Sequence, residues 1–143
     1  MGYVYVDIEI VNPTEIAMAK RHFIGQEEVK HMHLNVLVDS GAYMLCINEN
    51  IQAIFDFPFV KKERLEMADC SMQEFDVVGP VQIQFENKKT HCNAIVLPGS
   101  SKPLLGAVPM ELLNVIINPL YQKLEFSTEL PMLPSIRPIG IVK

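Results

Sequence analysis

At 143 residues, with 49% apolar and 20% charged side chains, the chain has the composition of one globular domain rather than of a disordered or multi-core protein. A formal net charge of −5 without a run of Lys and Arg argues against nucleic acid or an anionic membrane surface as the main partner. No stretch approaches the roughly 18 uninterrupted apolar residues of a membrane span, and the opening MGYVYVDIEIVNP has neither a basic region nor an apolar signal core, so a cytoplasmic protein with no membrane partner is the expectation.

Tyr3 to Val11 alternates apolar and polar with period 2, which predicts a half-buried strand that Asn12-Pro13 stops. Thr14 to Val29 reads as a connecting excursion with a helical turn capped near Thr14, since Gly25 interrupts any long helix. Met32 to Val38 is a second strand that becomes continuously apolar as it enters the core, and it runs straight into Asp39-Ser40-Gly41-Ala42. A helix follows near Glu49 to Phe55. Arg64 to Ala68 and Gln73 to Val78 flank a polar tip, Gly79-Pro80 marks a bend, and Val81 to Phe85 pairs with Thr90 to Leu97, so that two hairpins follow one another. Leu104-Leu105-Gly106 is a short apolar strand, and Pro109 opens a buried helix that carries Ile116 and Ile117 and ends at Asn118-Pro119. Lys123 to Phe126 is the last strand, and the tail from Thr128 has no usable periodicity. The class is all-β with one or two short helices.

A carboxylate at the end of an apolar strand is costly to bury unpaired, so Asp39 is the first candidate for chemistry. Glycine and alanine behind it permit a tight turn and the close approach of a substrate or a second chain. The same Asp-Ser-Gly is also ordinary turn chemistry. Cys46, Cys70 and Cys92 are odd in number and widely spaced, which suits reduced thiols better than a disulfide scaffold or a metal site. His31 and His33 share a strand face, where they read as solvated positions rather than zinc ligands completed by His91 or Cys92.

The run Val36-Leu37-Val38-Asp39-Ser40-Gly41-Ala42 resembles the active-site segment of retropepsin-like aspartic peptidases: apolar residues, then Asp, Thr or Ser, Gly and Ala. Leu104-Leu105-Gly106 and the helix after it are similar to that family's second signature, about 65 residues downstream, which leaves room for a flap hairpin. Bacterial members commonly place Ala-Asp-Gly at the flap tip, where this chain has Ala68-Asp69-Cys70, and an Asp before the proline where Asn118-Pro119 stands. The resemblance makes 1–127 a retropepsin-like domain with an insertion at 14–30, and leaves 128–143 as a proline-containing tail.

What the resemblance implies is a closed acid-protease barrel that contributes half of a symmetric dimeric active site. Asp39 is then the catalytic residue, Ser40, Gly41, Ala42, Leu105 and Gly106 support its loop, and Ala68, Asp69, Cys70 and Ser71 contact the substrate from the flap. The implied activity is that of an aspartic endopeptidase cleaving a peptide or protein substrate, without cofactor or metal. With one Asp-Ser-Gly segment per chain, the second aspartate must come from a two-fold partner, so a homodimer is expected. Two such carboxylates share one proton and give a bell-shaped pH dependence. Ile47, Val78 and Val108 are the expected apolar pocket walls. The competing function is a non-catalytic peptide-binding or dimerisation module that keeps the fold, and the departures at Cys70 and Asn118 are its support.

Overall fold

The computed structural model of the protein describes residues 3–127. The expected tail at 128–143 lies outside them. Strand β1 (Val4–Val11) buries Val4, Val6, Ile8 and Ile10 on one face and turns Tyr5 and Asp7 to solvent, as its alternation requires. Asn12 then does the work that the sequence suggested for Thr14. Its side chain accepts from the Thr14 N–H at 3.0 Å to cap helix α1 (Pro13–Lys20), and its amide donates to the Phe55 carbonyl at 3.4 Å. The Pro13 ring tolerates the first helical turn, so the dipeptide that ends the strand also starts the helix. A single 3-10 turn at Gln26–Glu28 completes the excursion, which packs Ala19 and Val29 against Val11.

The chain continues through β2 (His31–Val38), β3 (Leu45–Asn48), α2 (Glu49–Phe55), β4 (Phe59–Glu66), β5 (Met72–Phe85), β6 (Lys88–Leu97), β7 (Leu104–Leu105), α3 (Ala107–Leu113), β8 (Val115–Asn118) and β9 (Lys123–Phe126). The protein is thus mostly β, with a mixed sheet and short helices. Seven strands pair in the order β1-β2-β7-β3-β6-β5-β4, and β5 also pairs with β1 through Ile10 and Ile83. That extra pairing closes β1, β2, β7, β3, β6 and β5 into a ring, from which β4 hangs as an edge on the first half of β5. The β2–β7 and β3–β6 pairs are parallel and the rest antiparallel. Strands β8 and β9 form a separate hairpin.

Two expected boundaries are corrected. Gly79-Pro80 does not separate strands: β5 runs through it as a 14-residue strand with a register shift between Val78 and Val81. Glycine is needed at this bend, because its φ is +155° and a Cβ there would meet the Asn93 side chain at 2.3 Å. The C-terminal helix is shorter than its apolar run, since Asn114 adopts a left-handed φ of 58° and ends it. Ile116 and Ile117 therefore belong to β8.

Inside the ring lie Ile8, Ile10, Val36, Leu45, Ile47 and Ile83, with Phe55 and Phe57 stacked at 4.8 Å at the end of α2. Among the described residues no helix is long and apolar enough to cross a membrane. Outside the ring, Lys30 ties the excursion to α1: its Nζ lies 2.6 Å from Glu15 Oε2 and its N–H donates to Glu15 Oε1 at 2.9 Å. Burial works to raise the Glu15 carboxyl, but the hydrogen bonds and charge of Lys30 outweigh it and hold the group below its ordinary value. A depressed folded value gives stability that is present above the unfolded value near about 4.3 and is lost as pH falls through the folded one. Glu15→Gln should therefore cost about 0.5 kcal/mol at pH 7, as partly exposed pairs do, with the difference shrinking as pH falls through the folded value; urea melts at neutral and acidic pH check this.

Candidate active site

Strand β2 reaches Asp39 because its ladder extends past its last residue. Leu37 and Val38 pair in parallel with Leu104 and Leu105, and the Asp39 N–H donates to the Leu105 carbonyl at 3.0 Å. The chain then turns at once. The Ala42 N–H donates to the Asp39 carbonyl at 3.0 Å, and the Gly41 N–H donates to Asp39 Oδ1 at 2.9 Å. One carboxylate oxygen is thereby fixed by the turn, while the group stays half-buried and Ser40 beside it is exposed. A Cβ on Gly41 would lie 3.2 Å from Asp39 Oδ1, so even alanine would crowd the carboxylate.

The loop rests on the start of α3. Ala107 and Val108 have no preceding helical turn to take their N–H groups. They donate instead to the carbonyls of Ala42 and Tyr43, at 2.9 and 3.0 Å. For this the two backbones must touch, and Gly106 lets them: a Cβ there would fall 2.5 Å from the Met44 carbonyl oxygen and 2.8 Å from that of Ala42. Leu105, wholly buried, anchors the other side. The structure thus brings together Asp39, Ser40, Gly41, Ala42, Leu105 and Gly106.

The remaining candidates, Ala68, Asp69, Cys70 and Ser71, form the exposed turn of the β4–β5 hairpin. The Asp69 carboxylate accepts from both the N–H and the hydroxyl of Ser71, at 3.0 and 2.6 Å, and these bonds hold its carboxyl below the ordinary value. Cys70 stands at φ +68°, the left-handed region that glycine occupies without strain.

Between that hairpin and the Asp39 loop lies an apolar cluster that sequence reasoning missed. Cys46, Phe75, Val77 and Ile95 are buried in it, with Met44, Leu65, Met67, Leu97 and Leu104 packed around them. The expected walls Ile47 and Val78 are instead fully buried in the core inside the ring of strands, and Val108 alone of the three faces a cavity. The error is one of parity: Cys46 and Val77, each one residue earlier, point to the opposite side of their strands. In Leu-Cys-Ile-Asn every residue of β3 is buried, so alternation held no signal about which face is which.

Burial, aided by the negative charge of Asp39, pushes the Cys46 thiol up to about 11, and burial alone pushes Cys92 up to about 12. His31 and His33 both flank Glu9 on the β1–β2 surface, at 3.3 and 3.8 Å, while His91 bonds Gln82 at 3.1 Å. Among the described residues no three such side chains converge as metal ligands. Compared with known proteins, the chain matches no family model and no curated protein sequence.

Gly106→Ala should lower stability by about 1–3 kcal/mol, the range for overpacking against atoms that do not yield, because every clash is with backbone; a denaturation midpoint unchanged from wild type would mean that α3 and the loop do not depend on this contact. In native protein a thiol reagent near neutral pH should modify exposed Cys70 rapidly and leave Cys46 and Cys92 protected until unfolding, as peptide mapping by mass will show.

Proposed function

We propose that the protein is a retropepsin-type aspartic endopeptidase that works as a homodimer on an extended peptide, each subunit supplying one Asp39. The observation that carries this reading is the Asp39 loop. A carboxylate leaves an apolar strand half-buried, has one oxygen bonded to the Gly41 N–H, and stands beside an apolar cluster under a long hairpin. Among the described residues no salt bridge holds Asp39. The ring of strands is, on this reading, the acid-protease barrel, and β4–β5 is the flap.

Two Asp39 carboxylates across a two-fold axis would hold a water between them. One, ionised, takes a proton from that water as its oxygen attacks the scissile carbonyl carbon. The other, protonated, gives its proton to the carbonyl oxygen, forming a neutral diol. Collapse of the diol reforms the carbonyl and breaks the C–N bond, with a proton passing to the leaving amine. The Gly41 N–H holds one oxygen of the carboxylate, and Ser40, exposed at the turn, would bond across the dimer. Hairpin residues Ala68 to Ser71 close over the peptide, whose backbone adds to them as a strand would. Three free cysteines, two of them raised well above neutrality, suit a reducing compartment such as the cytoplasm.

The competing reading, a non-catalytic module that keeps the fold, rests on two departures from the family pattern, and both lie at turns. Cys70 occupies the glycine-like turn position, and Asn118 Oδ1 accepts from the N–H groups of Leu120 and Tyr121 while its amide donates to Glu125 at 3.1 Å.

Asp39→Asn keeps the oxygen that accepts from Gly41, so the variant should fold as wild type and lose peptide cleavage by about 10²-fold or more. Specific activity of the wild type should also fall on dilution as dimers dissociate, and excess Asp39→Asn should suppress it by forming mixed dimers. Cleavage of a mixed peptide library that is unchanged by the substitution removes Asp39 from the mechanism and the peptidase reading with it.

A further inference from the structure

Beyond the apolar cluster, on the side away from the hairpin tip, a cavity of about 370 Å³ opens between β4, β6 and the first turns of α3, at the small end of the range for ligand pockets. It shares Met44 and Val77 with the cluster beside Asp39, so it continues the same groove. Val108 and Leu112 of α3 add apolar wall, and Tyr43, the residue directly after the Asp39 turn, stands 64% exposed at its edge. On β4, Lys61 and Glu63 face into it, in register with Val77 and Phe75.

These two charges are not equivalent. The Glu63 side chain keeps only 28% of its accessible surface, whereas that of Lys61 keeps 61%, and they meet at 3.5 Å. An exposed pair on an edge strand contributes little, about 0–1 kcal/mol, so Lys61 gives up its partner at little cost. Among the described residues lining the cavity, Glu63 is the one carboxylate; Lys61 and His91 are the other titratable nitrogens, and the His91 ring is engaged by Gln82 at 3.1 Å. A ligand cation that displaced Lys61 would find a carboxylate of reduced hydration, an apolar channel for its stem, and an aromatic face beside it. A planar guanidinium fits all three, through paired hydrogen bonds to the carboxylate and stacking on Tyr43.

Resting on the reading of the groove as a peptide site, we propose that this cavity is a subsite for an arginine of the bound peptide, several residues from the cut, and that Glu63 determines its specificity. The substrate class is then a peptide with apolar residues around the scissile bond and one arginine to the side. Such a peptide also suits the −5 charge of the chain.

The test uses binding, so that it does not depend on catalysis. Ten-residue apolar peptides carrying one arginine, moved along the sequence, are titrated against the full-length Asp39→Asn protein beside the same peptides with citrulline, which keeps the shape without the charge. At one position the arginine peptide should bind about tenfold tighter than its citrulline twin. Glu63→Gln should close that gap while leaving the citrulline affinity unchanged, and Glu63→Lys should shift preference at that position to glutamate. Equal binding of arginine and citrulline peptides at every position, or a gap that survives Glu63→Gln, overturns the subsite. Wild-type cleavage of the same peptides separates the two ideas: cleavage without arginine preference leaves the peptidase and removes the subsite, and an arginine preference without any cleavage does the reverse. Binding by no peptide at all overturns both.

Discussion

The two residues of β7 carry the ends of two other strands. Leu104 pairs on one side with Leu37 of β2 and on the other with Cys46 of β3, and the Leu105 carbonyl takes the Asp39 N–H. Buried backbone groups must find partners, and here β7 and the Pro103 carbonyl just before it supply them. The segment from Asp39 to Met44 is therefore held at both ends by a strand that arrives about 65 residues later, and in the middle by the first N–H groups of α3. Gly106 is the hinge of this arrangement because backbone meets backbone across it. The placement of the candidate carboxylate is thus a property of three segments packed together, none of which holds it alone.

A second constraint is that β3, β5 and β6 serve two apolar surfaces at once. Ile47, Val78 and Ala94 face the ring interior, while Cys46, Val77 and Ile95, their neighbours in sequence, face the apolar cluster under the hairpin. Strands covered on both faces are apolar throughout, which is stable but silent about function. The length of β5 follows from the same demand. Its first half carries β4 outward over the groove and its second half closes the ring on β1, and the shift at Gly79-Pro80 lets one strand do both.

Several polar residues that look unusual in the sequence are local backbone devices. Asn12, Asn48, Asn114 and Asn118 respectively cap α1, cap α2, end α3 and form the β8–β9 turn. Asparagine suits each place because its short amide bonds nearby backbone, and it tolerates the left-handed region better than most residues. Cys70 lacks that advantage at φ +68°, and its conformation costs about 1 kcal/mol relative to glycine.

Most of the elements were legible because each rests on short-range physics. Alternation marked β1 and the second half of β5, apolar continuity marked β2, and α2 was readable between Glu49 and Phe55. The Asp39 turn and the Leu-Leu-Gly segment were readable as two separate motifs. Misreadings came where one residue had two local meanings: Asn12-Pro13 both ends a strand and opens a helix, and the apolar run after Pro109 passes from helical to strand period at Asn114. Only the tertiary structure decided that Gly106 touches the Asp39 loop, that Cys46 rather than Ile47 faces the cluster under the hairpin, and that Glu63 and Tyr43 line one cavity. The reason is that a strand's period says its faces differ but not which neighbour covers each, and that choice is made by pairings between segments far apart in the chain.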